Sequence, residues 1–266
     1  MPIHVKRTDL FPDDVNPLPT AGSREQAALV DDELEIATEA YFERLQQFSE
    51  VTDNIYPELI GACRNVIAEA APNRPLRVLD LCSGIGIVSL ELLAADFQIA
   101  ELTLADLSSE ILGRATQLLA KRQPAIAGRV KTTQLDLLAD DLRAKCSGPY
   151  DLVVTCNAFQ HFPRERQAAL FAQIHEILAP DGVFIFESHF KPLRPRWKRT
   201  MIESYQTRAR SHGAPAAFLD EIADHIENFH NYVNLYEVYN WLESGQFSYF
   251  DCVFRKDEIG IFAAVR

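Results

Sequence analysis

The chain has no run of eighteen or more apolar residues, so nothing in it reads as a membrane-spanning helix. Its opening, MPIHVKRTDLFPDD, puts charges where a secretion signal would need its apolar stretch, and a cytoplasmic location without membrane partners is the expectation. Cysteine is scarce: Cys63, Cys82, Cys146, Cys156 and Cys252 are odd in number, widely spaced and without a CxxC pair. That excludes a disulfide framework and a zinc site as first readings and leaves reduced, mostly packed thiols. Positive charge is in deficit, 26 Lys and Arg against 38 Asp and Glu, for a formal net charge of -12. Such a surface repels a phosphate backbone unless a local patch overcomes it, so nucleic acid is a disfavoured partner. A neutral or cationic small molecule meets no such barrier. Internal repeats, low-complexity tracts and a metal triad are also missing.

What is present suits one large α/β domain, since 266 residues with 47% apolar content can bury a sizeable core. Residues 1 to 30 hold four prolines and little periodicity, and an extended arm or lid is expected there. A helix is expected from Asp31, where acids suit a helix start, and a second from about Tyr56, with Leu59, Ile60, Cys63, Val66, Ile67 and Ala70 on one face. Five apolar runs then alternate with helical patterns: LRVLDL (76–81), AELTLAD (100–106), RVKTTQL (129–135), YDLVVTC (150–156) and GVFIFES (182–188). That alternation predicts parallel strands joined by crossover helices. Beyond Ser188 it stops. A polar helical stretch from about Trp197 to Asn231 precedes a short helix, LYEVYNWLES, and two last strands, SYFDCVFR and IGIFAAVR, read as an antiparallel hairpin on the sheet edge. The expected organisation is thus a single domain over 31–266, with a core at 76–188, a helical cap at 190–245 and a terminal hairpin at 247–266.

The chemistry concentrates at strand ends. The first strand runs into DLCSGIG, a glycine turn leading to a helix start, where backbone N–H groups can approach a ligand closely because Gly84 and Gly86 carry no side chain. A purely structural turn explains this feature alone. Strands one, two and three each end in an aspartate, Asp80, Asp106 and Asp136, at the edge where open α/β sheets bind ligands. Three Asx caps on loops are the competing explanation. On an adenosine-containing ligand, Asp106 can accept hydrogen bonds from ribose hydroxyls and Asp136 one from the adenine amine, with Leu107 and Leu137 flanking the ring.

DLCSGIG, LADLSSEIL, QLDLL, YDLVVTCNAFQHFP and LAPDGVFIFES resemble the successive motifs of class I S-adenosylmethionine-dependent methyltransferases. The resemblance implies a Rossmann-like, doubly wound α/β fold with a seven-stranded, mostly parallel sheet. Its last strand would be antiparallel and inserted beside the fifth, with N-terminal helices and a helical cap after strand five. It also implies that S-adenosyl-L-methionine is the cofactor, with Asp80, Gly84 and Gly86 at its methionine end, Asp106 at the ribose, Asp136 at the adenine and Asn157 near the sulfonium. Cys82 departs from the pattern, because many family members have glycine there. A dehydrogenase would want G-x-G-x-x-G, and Ser89 stands at the third glycine position.

Methyl transfer needs positioning above all, and a base is useful without being obligatory. His161, just after strand four, is the candidate base, with a helix-capping or packing histidine as the alternative. In KPLRPRWKRT, Arg196, Trp197 and Arg199 are candidates for holding the substrate, arginine being able to grip a carboxylate through paired bonds; a solvated basic surface is the other reading. Aromatic residues from Phe190 to Trp241 either line a planar cavity or fill a core. After strand four the chain reads NAFQ, not the [DNS]PP[YF] of amino-methylating DNA enzymes. A small organic metabolite or natural product is therefore the expected acceptor. A carboxy-S-adenosylmethionine synthase, loosely similar in its C-terminal layout, and a non-catalytic cofactor-binding regulator stay open. Acceptor atom and oligomeric state are not legible.

Overall fold

The computed structural model describes residues 55–70, 74–190, 195–214, 216, 219–220 and 231–266. The expected arm, the helix from Asp31, and Lys191, Arg194, Phe218 and Phe229 lie outside them. The chain runs α1 (Tyr56–Ala70), β1 (Leu76–Leu81), α2 (Ile87–Ala94), β2 (Ile99–Asp106), α3 (Ser109–Arg122) and β3 (Val130–Gln134). It continues with α4 (Leu142–Lys145), β4 (Tyr150–Thr155), α5 (Arg164–Ile177), β5 (Leu178–His189), α6 (Pro195–Ser211), α7 (Leu235–Ser244), β6 (Tyr249–Lys256) and β7 (Ile259–Val265). The strands form one seven-stranded sheet in the order β3-β2-β1-β4-β5-β7-β6. Pairs from β3 to β5 are parallel, whereas β7 runs antiparallel to both β5 and β6. This is the Rossmann-like α/β architecture, with the sheet order reversing between β1 and β4.

Parallel pairing with helices on both faces buries a strand on both sides, which is why β1 and β4 carry apolar residues on both faces, interrupted only by Arg77 and Asp80 in the first and by Asp151 and Thr155 in the second. Val78, Leu102, Leu152, Val154, Val183 and Ile185 point to one face, where Leu59, Ile60, Cys63 and Ile67 of α1 join the helices α2 and α3 over them. Leu79, Val153, Phe184 and Phe186 point to the other, against α5 and α7. There Phe184 and Phe186 stack at 4.6 Å between ring centroids, and Phe171, Phe159 and Phe262 surround them at 5.2 to 5.9 Å.

Element ends follow local chemistry. Ser108 caps α3 by accepting from the Ile111 N–H at 3.2 Å. Asn234 and Glu237 make a reciprocal capping box at the start of α7. The fifth strand begins at Leu178, four residues before the apolar run GVFIFES, because Leu178 pairs with Tyr150 across a register shift. Asp181, in the left-handed region at φ 59, lies inside that irregular start. Such a bulge leaves no period-two signal in the sequence.

Candidate active site

The tips of β1, β2, β4 and β5 carry the polar residues, at the sheet edge beside the order reversal. Past β1 the loop places Cys82 at φ 58, Gly84 at φ 52 and Gly86 at φ 80. Three left-handed residues in five make a sharp bend that glycine adopts freely and cysteine does not, so Cys82 holds this conformation at a cost of roughly 1 kcal/mol. The preference for glycine at that position thus concerns backbone more than side-chain size. At Gly84 an added Cβ would meet nothing within 4 Å and would project into open space. At Gly86 it would only touch Leu119 at 3.5 Å and Ala115 at 3.6 Å, so there the requirement is the turn itself and not room for a ligand.

Hydrogen bonds lock this bend. Asp80, 1% exposed, accepts from the Ser89 hydroxyl at 2.6 Å, tying β1 to the first turn of α2. Burial pushes its carboxyl up to about 7, against the opposing pull of the Ser89 bonds. The Gly84 N–H donates to Asp106 Oδ2 at 2.9 Å, and the Ser108 N–H reaches Asp106 Oδ1 at 3.2 Å. Asp106 is partly exposed, and desolvation raises its pKa while these amides oppose the rise. Ser83 Oγ is buried beside them with no hydrogen-bond partner among the described residues.

Asp136 sits two residues past the end of β3 rather than at its tip. Its Oδ1 accepts from the Leu138 N–H at 2.8 Å, and its N–H donates to Asp140 Oδ2 at 2.9 Å. This is the loop-capping geometry that competed with a ligand role, and it occupies one carboxylate oxygen. Leu137 is buried, and the Arg166 side chain donates to its carbonyl and, at 2.8 Å, to that of Asp140, fixing the loop to α5. Leu107 is partly exposed, and its carbonyl accepts from Gln134 Nε2 at 3.0 Å.

Beyond β4, Asn157 is exposed and left-handed at φ 55. Its N–H donates at 2.7 Å to Oε2 of Glu187, a residue with no solvent exposure near the end of β5. Burial pushes the Glu187 carboxyl up to about 7, with the Asn157 amide opposing. Sequence reasoning did not single out Glu187. The available signal was an acid closing an otherwise apolar run, VFIFES, the same pattern that marked the aspartates. His161 ends the short 3-10 turn Phe159–His161, half-buried, and its carbonyl accepts from Asn231 Nδ2 at 3.5 Å.

Asn231 also donates its N–H to the Gln160 carbonyl at 2.6 Å and accepts from Gln167 Nε2 at 3.1 Å. With the Phe190–Val233 bridge, these bonds dock the segment returning from the cap beside the β4 loop. The N-terminal part of α6 carries Arg196, Trp197 and Arg199. Trp197 is 55% exposed and Arg199 is exposed; the side chain of Arg196 lies outside those described. Of the aromatic residues, Phe190 is buried against Phe262, while Tyr239 and Trp241 are partly buried against Phe262 and Phe171 respectively, so these three pack on the core. Among the described residues no group of His, Cys, Asp and Glu could hold a metal ion, and no helix is long and apolar enough to cross a membrane.

The arrangement offers a bent loop with open space above Gly84, a buried hydroxyl at Ser83 that is unpaired among the described residues, and carboxylates at or near the strand ends, Asp80, Asp106, Asp136 and Glu187. That set fits a ligand presenting hydroxyl and amino donors, as an adenosyl amino acid does. Residues 78–182 match a family model described as a methyltransferase domain. Over 117 residues, 42% of this chain and 42% of the relative, the sequence is 29% identical to the Bacillus subtilis protein YqeM, which is named among the methyltransferases. A stretch of 40 residues, 15% of this chain and 14% of the relative, is 45% identical to the cyclopropane mycolic acid synthase MmaA2 of Mycobacterium tuberculosis. The matches thus span less than half the length of these curated relatives. Among solved structures, magnesium protoporphyrin IX methyltransferase from Synechocystis PCC 6803 with bound SAH superposes with a TM-score of 0.58 at 16% identity, covering 90% of this chain and 99% of that one. An O-methyltransferase family protein from Burkholderia thailandensis gives 0.60 at 14% identity, over 98% of this chain and 67% of the other. At such identities the likeness is one of fold.

Proposed function

From the membership of residues 78–182 in the class I S-adenosylmethionine-dependent methyltransferase family, we infer that this chain binds S-adenosyl-L-methionine at the β1 loop and transfers its methyl group to a small organic acceptor. The observation that carries this reading is the bond from the Gly84 amide to Asp106, which draws the glycine bend and the acid of the second strand into one cradle. Bound there, the cofactor would supply an activated methyl on a sulfonium.

Each residue then has a task. Gly84 keeps the cradle open, Asp80 braces it from below through Ser89, and Cys82 and Gly86 set its bend. Asp106, already oriented by two backbone amides, accepts from ribose hydroxyls through its remaining lone pairs. Asp136 receives the adenine amine on Oδ2, since Oδ1 belongs to its own turn, with Leu107 and Leu137 beside the ring. Asn157 borders the reacting methyl. His161, further along the same loop and tied to the returning cap segment, touches the acceptor. Arg196, Trp197 and Arg199 meet the acceptor only if α6 approaches the tips as acceptor binds, since Trp197 and Arg199 are exposed here. A small acceptor is favoured over nucleic acid by the net charge of -12.

The test is calorimetry with S-adenosylmethionine and S-adenosylhomocysteine, followed by incubation with methyl-labelled donor and a metabolite extract. Heat of association plus label in a small product is the expected result. Binding without turnover would make the protein a cofactor-binding regulator, and no binding of either compound would remove the reading.

A further inference from the structure

Neighbouring side chains in the first turn of α5 hold different loops of the site. Arg166, partly buried, donates through its guanidinium to the Leu137 carbonyl and, from Nη2 at 2.8 Å, to the Asp140 carbonyl, both in the loop that follows β3. That loop is already a tight turn: the Asp140 N–H donates to the Asp136 carbonyl at 2.7 Å, and the Asp136 N–H returns to Asp140 Oδ2 at 2.9 Å. Gln167, 1% exposed, reaches elsewhere. Its Nε2 donates to the Phe162 carbonyl at 2.9 Å, just past the 3-10 turn of the β4 loop, and to the Asn231 carbonyl at 3.1 Å, in the segment returning from the cap. Arg164, in the same turn, pairs with Glu237, which caps α7 just beyond that segment.

A guanidinium bonded to two carbonyls makes charge-assisted bonds, which are stronger than neutral ones. A buried amide deprived of its acceptors costs the full desolvation of the group, so Gln167 keeps Phe162 and Asn231 together. Both side chains stand on one footing, because the N–H groups of Arg166 and Gln167 donate to the same Pro163 carbonyl at 2.9 Å. Further along α5, Gln173 Oε1 accepts the Leu142 N–H at 3.0 Å, so the helix also holds the far end of the loop after β3. A contiguous chain of bonds thus runs from the Asp136 turn to Asn231, and a coupling along it acts equally in both directions.

We propose that the first turn of α5 is a clasp coupling the donor side of the site to the acceptor side, with Arg166 and Gln167 as its positioning residues. This rests on the methyl-donor reading, in which the adenine lies beside Leu137 and Asp136. A ring seated there holds the carbonyls of Leu137 and Asp140 toward Arg166, and Gln167 passes that restraint to Phe162 and Asn231. The donor thereby firms the acceptor side before an acceptor arrives, and binding is ordered, donor first.

The test is amide hydrogen exchange by NMR on the full chain, with S-adenosylhomocysteine as the probe. The probe should slow exchange of the Gly84 N–H in the cradle and, by about 5-fold or more, of the Asn231 N–H, which donates to the Gln160 carbonyl at 2.6 Å. Arg166→Met should keep the effect at Gly84 and lose it at Asn231, and Arg166→Lys, which retains a charged donor, should restore part of it. Slowing at Asn231 that persists undiminished in Arg166→Met, or that is missing from the wild type while Gly84 is slowed, would overturn the clasp and leave the donor reading intact. A comparison without ligand isolates the clasp from that reading. Gln167→Leu should speed exchange of the Asp140 N–H, and Arg166→Met that of the Asn231 N–H, each by about 5-fold or more, with the Val153 N–H of β4 unchanged. Such cross-effects support the clasp even in protein that binds no donor. Variants that each alter only their own loop refute it, as does equal speeding at Val153, the mark of general loosening.

Discussion

Asp106 is the residue on which the cradle converges, because its carboxylate already receives the Gly84 and Ser108 amides before any ligand arrives. Replacing it with alanine should weaken binding of S-adenosylhomocysteine by about 1 to 3 kcal/mol, read by calorimetry; an unaltered affinity would mean that the ribose is held elsewhere. Glu187 gives a prediction of a different kind. Its carboxyl is pushed up to about 7 in the folded chain, so between about pH 4.5 and 7 the unfolded state ionises while the folded state keeps its proton. The stability associated with that proton is present at low pH and lost as pH rises through 7. Relative to wild type, Glu187→Gln should therefore gain up to about 3 kcal/mol across that interval, measured by urea midpoints at a series of pH values. A constant difference would mean that Glu187 is ionised throughout.

Among the elements, the strands were the most legible, because burial on both faces puts apolar residues at successive positions: LRVLDL coincides with β1 to the residue, and LYEVYNWLES, a helix with one apolar face, does the same for α7. The start of β5 was not legible, since an irregular pairing with Tyr150 obeys no period. At the site, the acids of β1 and β2 could be read from their positions at strand ends. Glu187 closes its apolar run in the same way, but its significance comes from a neighbour on the next strand's loop, the Asn157 amide, which only the fold supplies. The same holds for Cys82, where the sequence shows a small residue in place of glycine and the structure shows a left-handed backbone. The phenylalanine layer beneath β4 and β5 carries a stability prediction. Phe186 is 1% exposed and stacks on both Phe184 and Phe262, so Phe186→Ala should cost about 3 to 5 kcal/mol, seen as a lower denaturant midpoint. A loss below about 1 kcal/mol would mean that the layer collapses to fill the gap.

For the molecule as a whole, ligand binding and folding should be coupled, because the cradle is built from β1, α2, β2 and α3 together and has no counterpart in an unfolded chain. S-Adenosylhomocysteine at 100 times its Kd should add about 2.7 kcal/mol to the unfolding free energy, visible as a rise in Tm that Asp106→Ala diminishes at the same concentration. Equal shifts in both proteins would place the ligand outside the cradle. Among the described residues, the stretch between β5 and β6 meets the sheet body at places that include two polar attachments. Arg208 of α6 pairs with Asp257 in the hairpin turn, and the returning segment docks on the β4 loop. That second attachment has a mechanical outcome. Asn231 grips the backbone around His161, and the next residue, Tyr232, stands against His189. One peptide unit thus spans two imidazoles, one on the β4 loop and one at the end of β5, and a small slide of that unit would displace both in concert.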